Sequence, residues 1–381
     1  MIRSYQKSDF EQLAFVWSLA FRAGNPYEIT EDLVGKETET FVMECDKKIV
    51  GGYRIHKMTA SRFEQHISCG GIAAVAVLPE ARTEGAGEKL MKHALHELHK
   101  RKTPLSTLYA FKESYYRKFG WECIGNPLNI TCQSHVLPKL QPSLPIQTIT
   151  SENYKKIRPA YEGFCKLYNG LNMRTERWWE KLFVNKENPA HILVAGSPPQ
   201  AYAIVSFTQD FWVNQPINEF VWSSMEGYNA IIAMFKKIGI NRTSVSWMEP
   251  SDSPFLARFK NPGVEVSMNR TIMLRVVHVQ EAFQSIKTRH QGNFKIKIID
   301  NELKQNEGPW LVEFENGTVK CSPHTSADFE MDIKTFSQAY MGEPSFQSLY
   351  KMGLITCNNE DALTHAENLF PSRACICLDY F

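Results

Sequence analysis

Apolar positions along the chain switch repeatedly between a helical and a strand period. Leu13, Trp17 and Phe21 recur every four residues, which puts them on one face of a helix. Ser8-Asp9-Phe10-Glu11 offers a capping box to open that helix, and Gly24 and Pro26 close it. A short strand precedes it at residues 2–5. "TFVMEC" and "KIVGGYRIHKM" flank the turn-like Asp46-Lys47-Lys48 and predict a hairpin, with a bulge at Gly51 and Gly52. "EQHISCGGIAAVAVLP" ends in a long apolar run, the pattern of a buried central strand. The loop "EARTEGAGE" follows, then a helix from about residue 89 to 100 with Leu90, Ala94 and Leu98 on one face. "LSTLYAF" predicts a further strand, and "ESYYRKFG" a short helix stopped by Gly120.

"LPKLQPSLPIQ" carries Pro138, Pro142 and Pro145 and reads as a linker. Beyond it the alternation resumes. Helices are expected at "SENYKKIRPAYEGF" and "YNAIIAMFKKIG", and strands at "HILVAG", "AYAIVSF", "INEFVW" and "RTSVSW". The β-rich run "TIMLRVVHV" is expected to close this second unit. A third begins near His278, with strands at "FKIKIID" and "PWLVEFENGTVKC" and helices near "MDIKTFSQAYMG", "FQSLYKMG" and "NEDALTHAENLF". The expected division is 1–140, 141–277 and 278–381, in the α+β (mixed α/β) class, with the first two units sharing a similar order of elements.

A length of 381 residues supports this, since one core rarely serves so long a chain. The fractions of apolar (43%) and charged (22%) residues are those of a soluble globular protein. A net charge of +2 gives no case for a nucleic-acid partner. The charge is uneven. Residues 291–381 hold 13 acids against 7 bases, and the remainder 28 acids against 36 bases. A basic front suits an anionic cofactor, and an acidic rear a cationic substrate. Nine cysteines without a CxxC pair read as reduced thiols of a cytoplasmic protein. The opening residues lack an apolar leader core, and no run of 18 apolar residues exists, so neither a signal peptide nor a membrane partner is expected.

The strongest chemical signal is "VAVLPEARTEGAGEKL". A buried strand at Val75, Ala76 and Val77 runs into a glycine-bearing loop that opens a helix. That geometry aims unpaired backbone N–H groups and the positive end of the helix dipole at one point, where a pyrophosphate fits. Gly85 and Gly87 let the backbone approach closely. No Walker A sequence is present, and Leu90 stands where a dinucleotide fingerprint needs its third glycine. Arg82-x-x-Gly85-x-Gly87 remains. A second signal, "LYAFKESYYRKFGW", sets Tyr115 and Tyr116 on a short helix. A phenol, with pKa about 10, is a protonated donor at neutral pH. His93, His96 and His99 repeat every three residues, but Lys92 and Lys100 beside them make the run read as a solvated face. No metal is expected.

The Arg-x-x-Gly-x-Gly loop after its Val-x-Val strand resembles motif A of the GCN5-related N-acetyltransferases (GNAT), which cradles the coenzyme A pyrophosphate. Tyr116-Arg117-Lys118-Phe119-Gly120-Trp121 downstream narrows the match. With "MRTERWWEKL", "INEFVW", "NEGPWLVEFENG", "LYKMGLI" and "LFPSRACICLDYF", the full length resembles the Eis (enhanced intracellular survival) family. The resemblance implies two tandem GNAT-fold domains, the second holding no cofactor, and a sterol-carrier-protein-2-like third domain. It implies acetyl-CoA as cofactor, contacted by Val75, Ala76, Val77, Thr83, Glu84, Gly85, Ala86, Gly87, Glu88, Phe111 and Lys112, with Arg82 beside them. A basic residue is common where Glu84 stands; an inward-facing Glu84 would weaken that site. Tyr116 is the implied general acid, with Tyr115 as runner-up, and the carboxylate of the last residue, Phe381, the implied general base. The implied partners are a small-molecule amine acceptor (an aminoglycoside or polyamine) or a lysine side chain, and further copies in a homohexamer. Trp17 and Phe21 are candidates to wall the acceptor pocket, and Asp379 to give it negative charge. A protein-lysine acetyltransferase, or a non-enzymatic lipid-binding or scaffold protein with a weakened cofactor site, are the alternatives.

Overall fold

The computed structural model describes residues 1–25, 35–183, 189–259, 261–268 and 272–381; Pro26 and the side chains of Thr83 and Glu84 lie outside the described residues. The first unit contributes strands β1 (Ile2–Ser4), β2 (Thr38–Cys45), β3 (Lys48–Arg62), β4 (Gln65–Val77), β5 (Leu105–Tyr109) and β6 (Glu122–Cys123). Helices α1 (Phe10–Phe21), α2 (Ala86–Lys100) and α3 (Glu113–Arg117) flank them. Asp46 and Lys47 take positive φ (47° and 62°), the two-residue turn that matches the twist of a hairpin. The β2–β3 register slips opposite Gly51, as the paired glycines predict. The capping box lies earlier than expected. Arg3 pairs with the Asp9 carboxylate, which accepts from the backbone N–H of Gln6 at 2.7 Å, so a turn at Lys7–Asp9 leads into α1.

The second unit contains β7 (Leu128–Cys132), β8 (Ile146–Thr150), β9 (His191–Ala195), β10 (Ala201–Val205), β11 (Asn214–Pro216), β12 (Glu219–Trp222), β13 (Ser244–Glu249) and β14 (Val264–Met268). Its helices are α4 (Arg158–Leu167), α5 (Glu176–Lys181), α6 (Met225–Ile238) and α7 (Pro254–Phe259). The strands form two sheets, ordered β12-β10-β9-β8 and β11-β13-β7-β14. One expectation fails here. Strand β15 (Ile272–Val276), expected to close this unit, lies between β5 and β6 in the first sheet, with Leu274 opposite both Thr107 and Glu122. Conversely β7, from the first 140 residues, lies between β13 and β14. The two units exchange strands. Every residue of β15 is buried, so it needs partners on both edges, and its apolar pattern does not say which edges those are.

The third unit follows through α8 (Val279–Gln284), β16 (Gly292–Ile299), β17 (Gly308–Glu315), β18 (Thr318–Pro323), β19 (Phe329–Asp332), α9 (Ile333–Met341), α10 (Phe346–Lys351), β20 (Thr356–Cys357) and α11 (Asp361–Leu369). Its five-stranded sheet is ordered β18-β17-β16-β19-β20. Phe283, Phe294, Phe336, Phe346 and Phe370 pack ring against ring behind it. Buried arginines tie the first unit's sheet to the third unit. Arg62 donates to the carbonyls of Tyr340 and Leu369, and Arg275 on β15 grips Asp300 with both carboxylate oxygens within 2.7 Å. No helix among the described residues is long and apolar enough to cross a membrane.

Candidate active site

Strand β4 opens the site. It pairs with β5 only over residues 69–72 against 105–108. Past Ile72 the strands part, and Ala74 at φ 51° bulges β4 away from its β3 register. The backbone of Val75, Ala76 and Val77 is left with β3 on one side and, among the described residues, no strand on the other. Trp17 holds this bulge. It is fully buried, donates from Nε1 to the Ala74 carbonyl at 2.9 Å, and carries Arg54 over its ring at 4.3 Å. Trp17 therefore supports the strand and does not wall a pocket; the indole N–H needs a buried acceptor, and the bulge supplies one.

A 3₁₀ turn, Pro79–Glu84, carries the chain to Gly85 at φ 70°, a left-handed conformation that only glycine adopts without strain. The helix α2 then starts at Ala86, so residues 86–88, expected in a loop, already form its first turn. Among the described residues no side chain caps its start. Its first N–H groups and dipole face the space beyond β4. Gly87 makes a close approach of a different kind: a Cβ there would lie 2.8 Å from the Tyr115 hydroxyl, which would have to shift. Arg82 donates from Nε to the Val77 carbonyl at 3.1 Å, which ties the loop back to the strand. Glu88 is exposed and paired with Lys92 at 2.8 Å, and that ammonium holds its carboxyl below the usual range. Ala86 faces the core instead.

Tyr116 is 5% exposed, edge-on to Phe111 and Tyr115 at ring separations of 5.6 and 5.2 Å. Burial first, and then Tyr115, push its phenol well above the ordinary value. One cleft of about 680 Å³ gathers Phe21, Val75, Ala76, Val77, Arg82, Gly85, Gly87, Glu88, Phe111, Tyr115 and Tyr116. Lys112 is exposed at the start of α3, next to this cleft.

Phe381 reaches the same sheet from the far end of the chain. Its ring lies against Gly71 on β4, where a Cβ would come within 3.1 Å, and edge-on to His56, Tyr109 and Trp178. Among the described residues it shares no ring contact with Tyr116. Gly71 is four residues before Val75, about 13 Å along the strand. Cross-strand rows fill the interval: Thr38, His56 and Gly71 in one, Thr40, Arg54 and Ala73 in the next. His56 bonds Thr38 at 3.0 Å, and burial, then Lys181, Arg177 and Arg54, push its imidazole down to about 3. It is a neutral ring at working pH.

Asp379 corrects an expectation. It is 2% exposed, with its carboxylate bonded to Arg174 Nε at 2.7 Å and to the Tyr161 hydroxyl at 3.3 Å. An unpaired carboxylate this deep would be costly, so it sits on the buried guanidinium of the second unit. The sequence reading missed Arg174, His56, Tyr109, Trp178 and Lys181. The only signal was an arginine one turn before the aromatic pair Trp178-Trp179. The histidine run also differs from expectation: His93 bonds the Tyr53 hydroxyl at 2.7 Å, and His99 stacks on His278 at 4.7 Å.

Residues 1–124 and 170–276 each match an acetyltransferase (GNAT) domain, and residues 279–378 a sterol carrier protein domain. No curated protein matches the sequence. Among solved structures, a GCN5-related N-acetyltransferase from Anabaena variabilis superposes with a TM-score of 0.89 at 22% identity, covering 100% of both chains. A probable N-acyltransferase from Enterococcus faecalis gives 0.87 at 18% identity over 100% of this chain and 99% of that one. Eis1 from Mycobacterium abscessus gives 0.81 at 18%, again over 100% of both. These likenesses show the fold, a pair of GNAT domains followed by a sterol carrier protein domain. The domain matches make the protein a GNAT-type acetyltransferase, and GNAT domains use acetyl-CoA.

Proposed function

We propose that the chain is an Eis-family enzyme that passes the acetyl group of acetyl-CoA directly to a primary amine, with Tyr116 as general acid and the α-carboxylate of Phe381 as general base. The observation that carries this reading is the single cleft joining Val75, Ala76, Val77, Arg82, Gly85 and Gly87 to Tyr116. Its residues fit coenzyme A in chemistry. A strand edge without a neighbour offers backbone groups to an amide-bearing arm. An uncapped helix start beside Arg82 suits a pyrophosphate. Phe111 and Lys112 add an apolar face and a cation at the rim. Thr83 and Glu84 belong to the same proposed contact set.

Bound there, acetyl-CoA supplies an activated thioester. The residues of this chain do the rest. Tyr116 keeps its proton across neutral pH and can deliver it to a departing thiolate. Backbone N–H groups at the free edge of β4 can stabilise a developing oxyanion. An α-carboxyl normally titrates at about 3.3–3.7, a poor base for an ammonium. Its charge would hold a cationic amine until the proton moves.

The proposed acceptors are those of the Eis family, aminoglycosides, polyamines or lysine side chains, and the proposed state is a cytoplasmic homohexamer. The lipid-carrier alternative draws no support from a third unit whose interior is filled by phenylalanine rings. The test is release of free thiol from acetyl-CoA with an aminoglycoside, a polyamine and a lysine peptide. Release that requires an amine is expected. No release with any amine, together with no binding of acetyl-CoA, would sink the reading. Faster release with the peptide than with small amines would make it a protein-lysine acetyltransferase.

A further inference from the structure

We infer that the second acetyltransferase-like unit holds the reactive terminus: residues 169–181 form a cradle that sets the place of the Phe381 carboxylate, with Arg174 as its positioning residue. This rests on the role proposed for Phe381.

The tail is docked residue by residue. Asn169 accepts from the Ile376 N–H at 2.9 Å, and its own N–H donates to the Ala374 carbonyl at 3.1 Å, as in a two-residue strand pairing. Three consecutive residues at the end are then held from one short segment. Arg174 binds the Asp379 carboxylate at 2.7 Å. Lys181 donates to the Tyr380 carbonyl at 2.9 Å. Trp178 meets the Phe381 ring edge-on at 6.0 Å between centroids.

Arg174 is the centre of this arrangement. Its side chain is fully buried, and its two terminal nitrogens fork onto Glu219 at 2.9 and 2.5 Å while Nε takes Asp379. Tyr161 lies under the guanidinium at 4.2 Å, and Tyr202 completes Glu219 with a hydrogen bond of 2.5 Å. A core of apolar residues would stabilise the fold as well or better, because two carboxylates on one buried cation are expensive to desolvate. The best attested use of such a group is to fix register. Here the register concerned is that of Asp379, two residues from the proposed base. The unit is free for this work, since the start of its helix α6 is closed by its own Ser224 hydroxyl, which accepts from the Gly227 N–H at 3.1 Å.

Two measurements on the full chain decide it. Steady-state kinetics reads the chemistry, and release of phenylalanine by a carboxypeptidase reads how firmly Phe381 is held. Arg174→Lys keeps the charge and loses the fork. It is expected to lower kcat about tenfold or more, since small misplacements of reacting groups are costly. KM for acetyl-CoA should stay within about twofold, and phenylalanine release should quicken. Should Arg174→Lys fail to fold, Lys181→Met at the exposed end of the cradle and Trp178→Leu carry the same test, with the same sign expected. Wild-type values of both readouts, or a change in either one alone, overturn the inference. A residue appended after Phe381 keeps the two proposals distinguishable. Intact turnover in the extended chain removes the base assignment itself; lost turnover there with a fully active Arg174→Lys removes only the cradle.

Discussion

A phenol is a proton donor only while it keeps its proton, and the burial of Tyr116 ensures that it does. Tyr116→Phe leaves the ring packed against Phe111 and Tyr115 and removes the donor. It should lower kcat about 10²-fold or more, the usual worth of a positioned acid, with little change in KM for acetyl-CoA. Steady-state assays check this, and a wild-type kcat would exclude the role. His56 makes a second, separate prediction. The imidazole titrates near 6.5 in the unfolded chain and near 3 in the folded one. Between those values unfolding takes up a proton, so stability falls as pH drops from 6.5 towards 3. At about 1.4 kcal/mol per unit, lowering the pH to 4.5 should remove roughly 2–3 kcal/mol through this group alone. His56→Asn should lose less by that margin when urea melts at pH 7 and 4.5 are compared. At this scale the sequence was partly legible. The sequence set Tyr115 and Tyr116 side by side on a short helix and only the family resemblance chose between them, whereas Asp379 and Trp17 did not reveal their partners. Arg174 is 205 residues from Asp379 and the Ala74 carbonyl 57 residues from Trp17, and such pairings leave no local pattern.

Among the elements, the junction of β4 with α2 was legible because its backbone geometry favours glycine. Gly85 takes a left-handed φ, and Gly87 passes close to the Tyr115 hydroxyl. The exact start of α2 was not legible: the sequence Glu-Gly-Ala-Gly reads as loop, and the helix begins inside it, directly after the left-handed Gly85. Gly87→Ala should displace the Tyr115 hydroxyl and narrow the cleft, raising KM for acetyl-CoA about tenfold while kcat at saturation changes less. An unchanged KM would show that this helix start does not contact the cofactor.

For the whole molecule, the strand at residues 272–276 was expected but not its partnership, and the strand at 128–132 was not expected at all. Periodicity reports which faces are buried; it does not report which of several distant edges completes the sheet. The exchange makes each of the first two units depend on the other. The third is tied in through Arg275, whose guanidinium joins Asp300 to the carbonyl of Phe119, just beyond the helix that carries Tyr116. Arg275→Met should therefore destabilise the protein by about 3–5 kcal/mol, because it leaves a buried carboxylate without its cation. Urea unfolding followed by tryptophan fluorescence checks this, and a change below about 1 kcal/mol would mean that the pair does not join the units. The last residue of the chain lies against the strand that lines the cleft. The most direct test of its role as base is kcat of a chain with one glycine appended after Phe381, alongside that chain's affinity for acetyl-CoA. Turnover should fall at least about 10²-fold with cofactor affinity and melting temperature unchanged; full turnover by the extended chain would contradict a carboxylate base at Phe381.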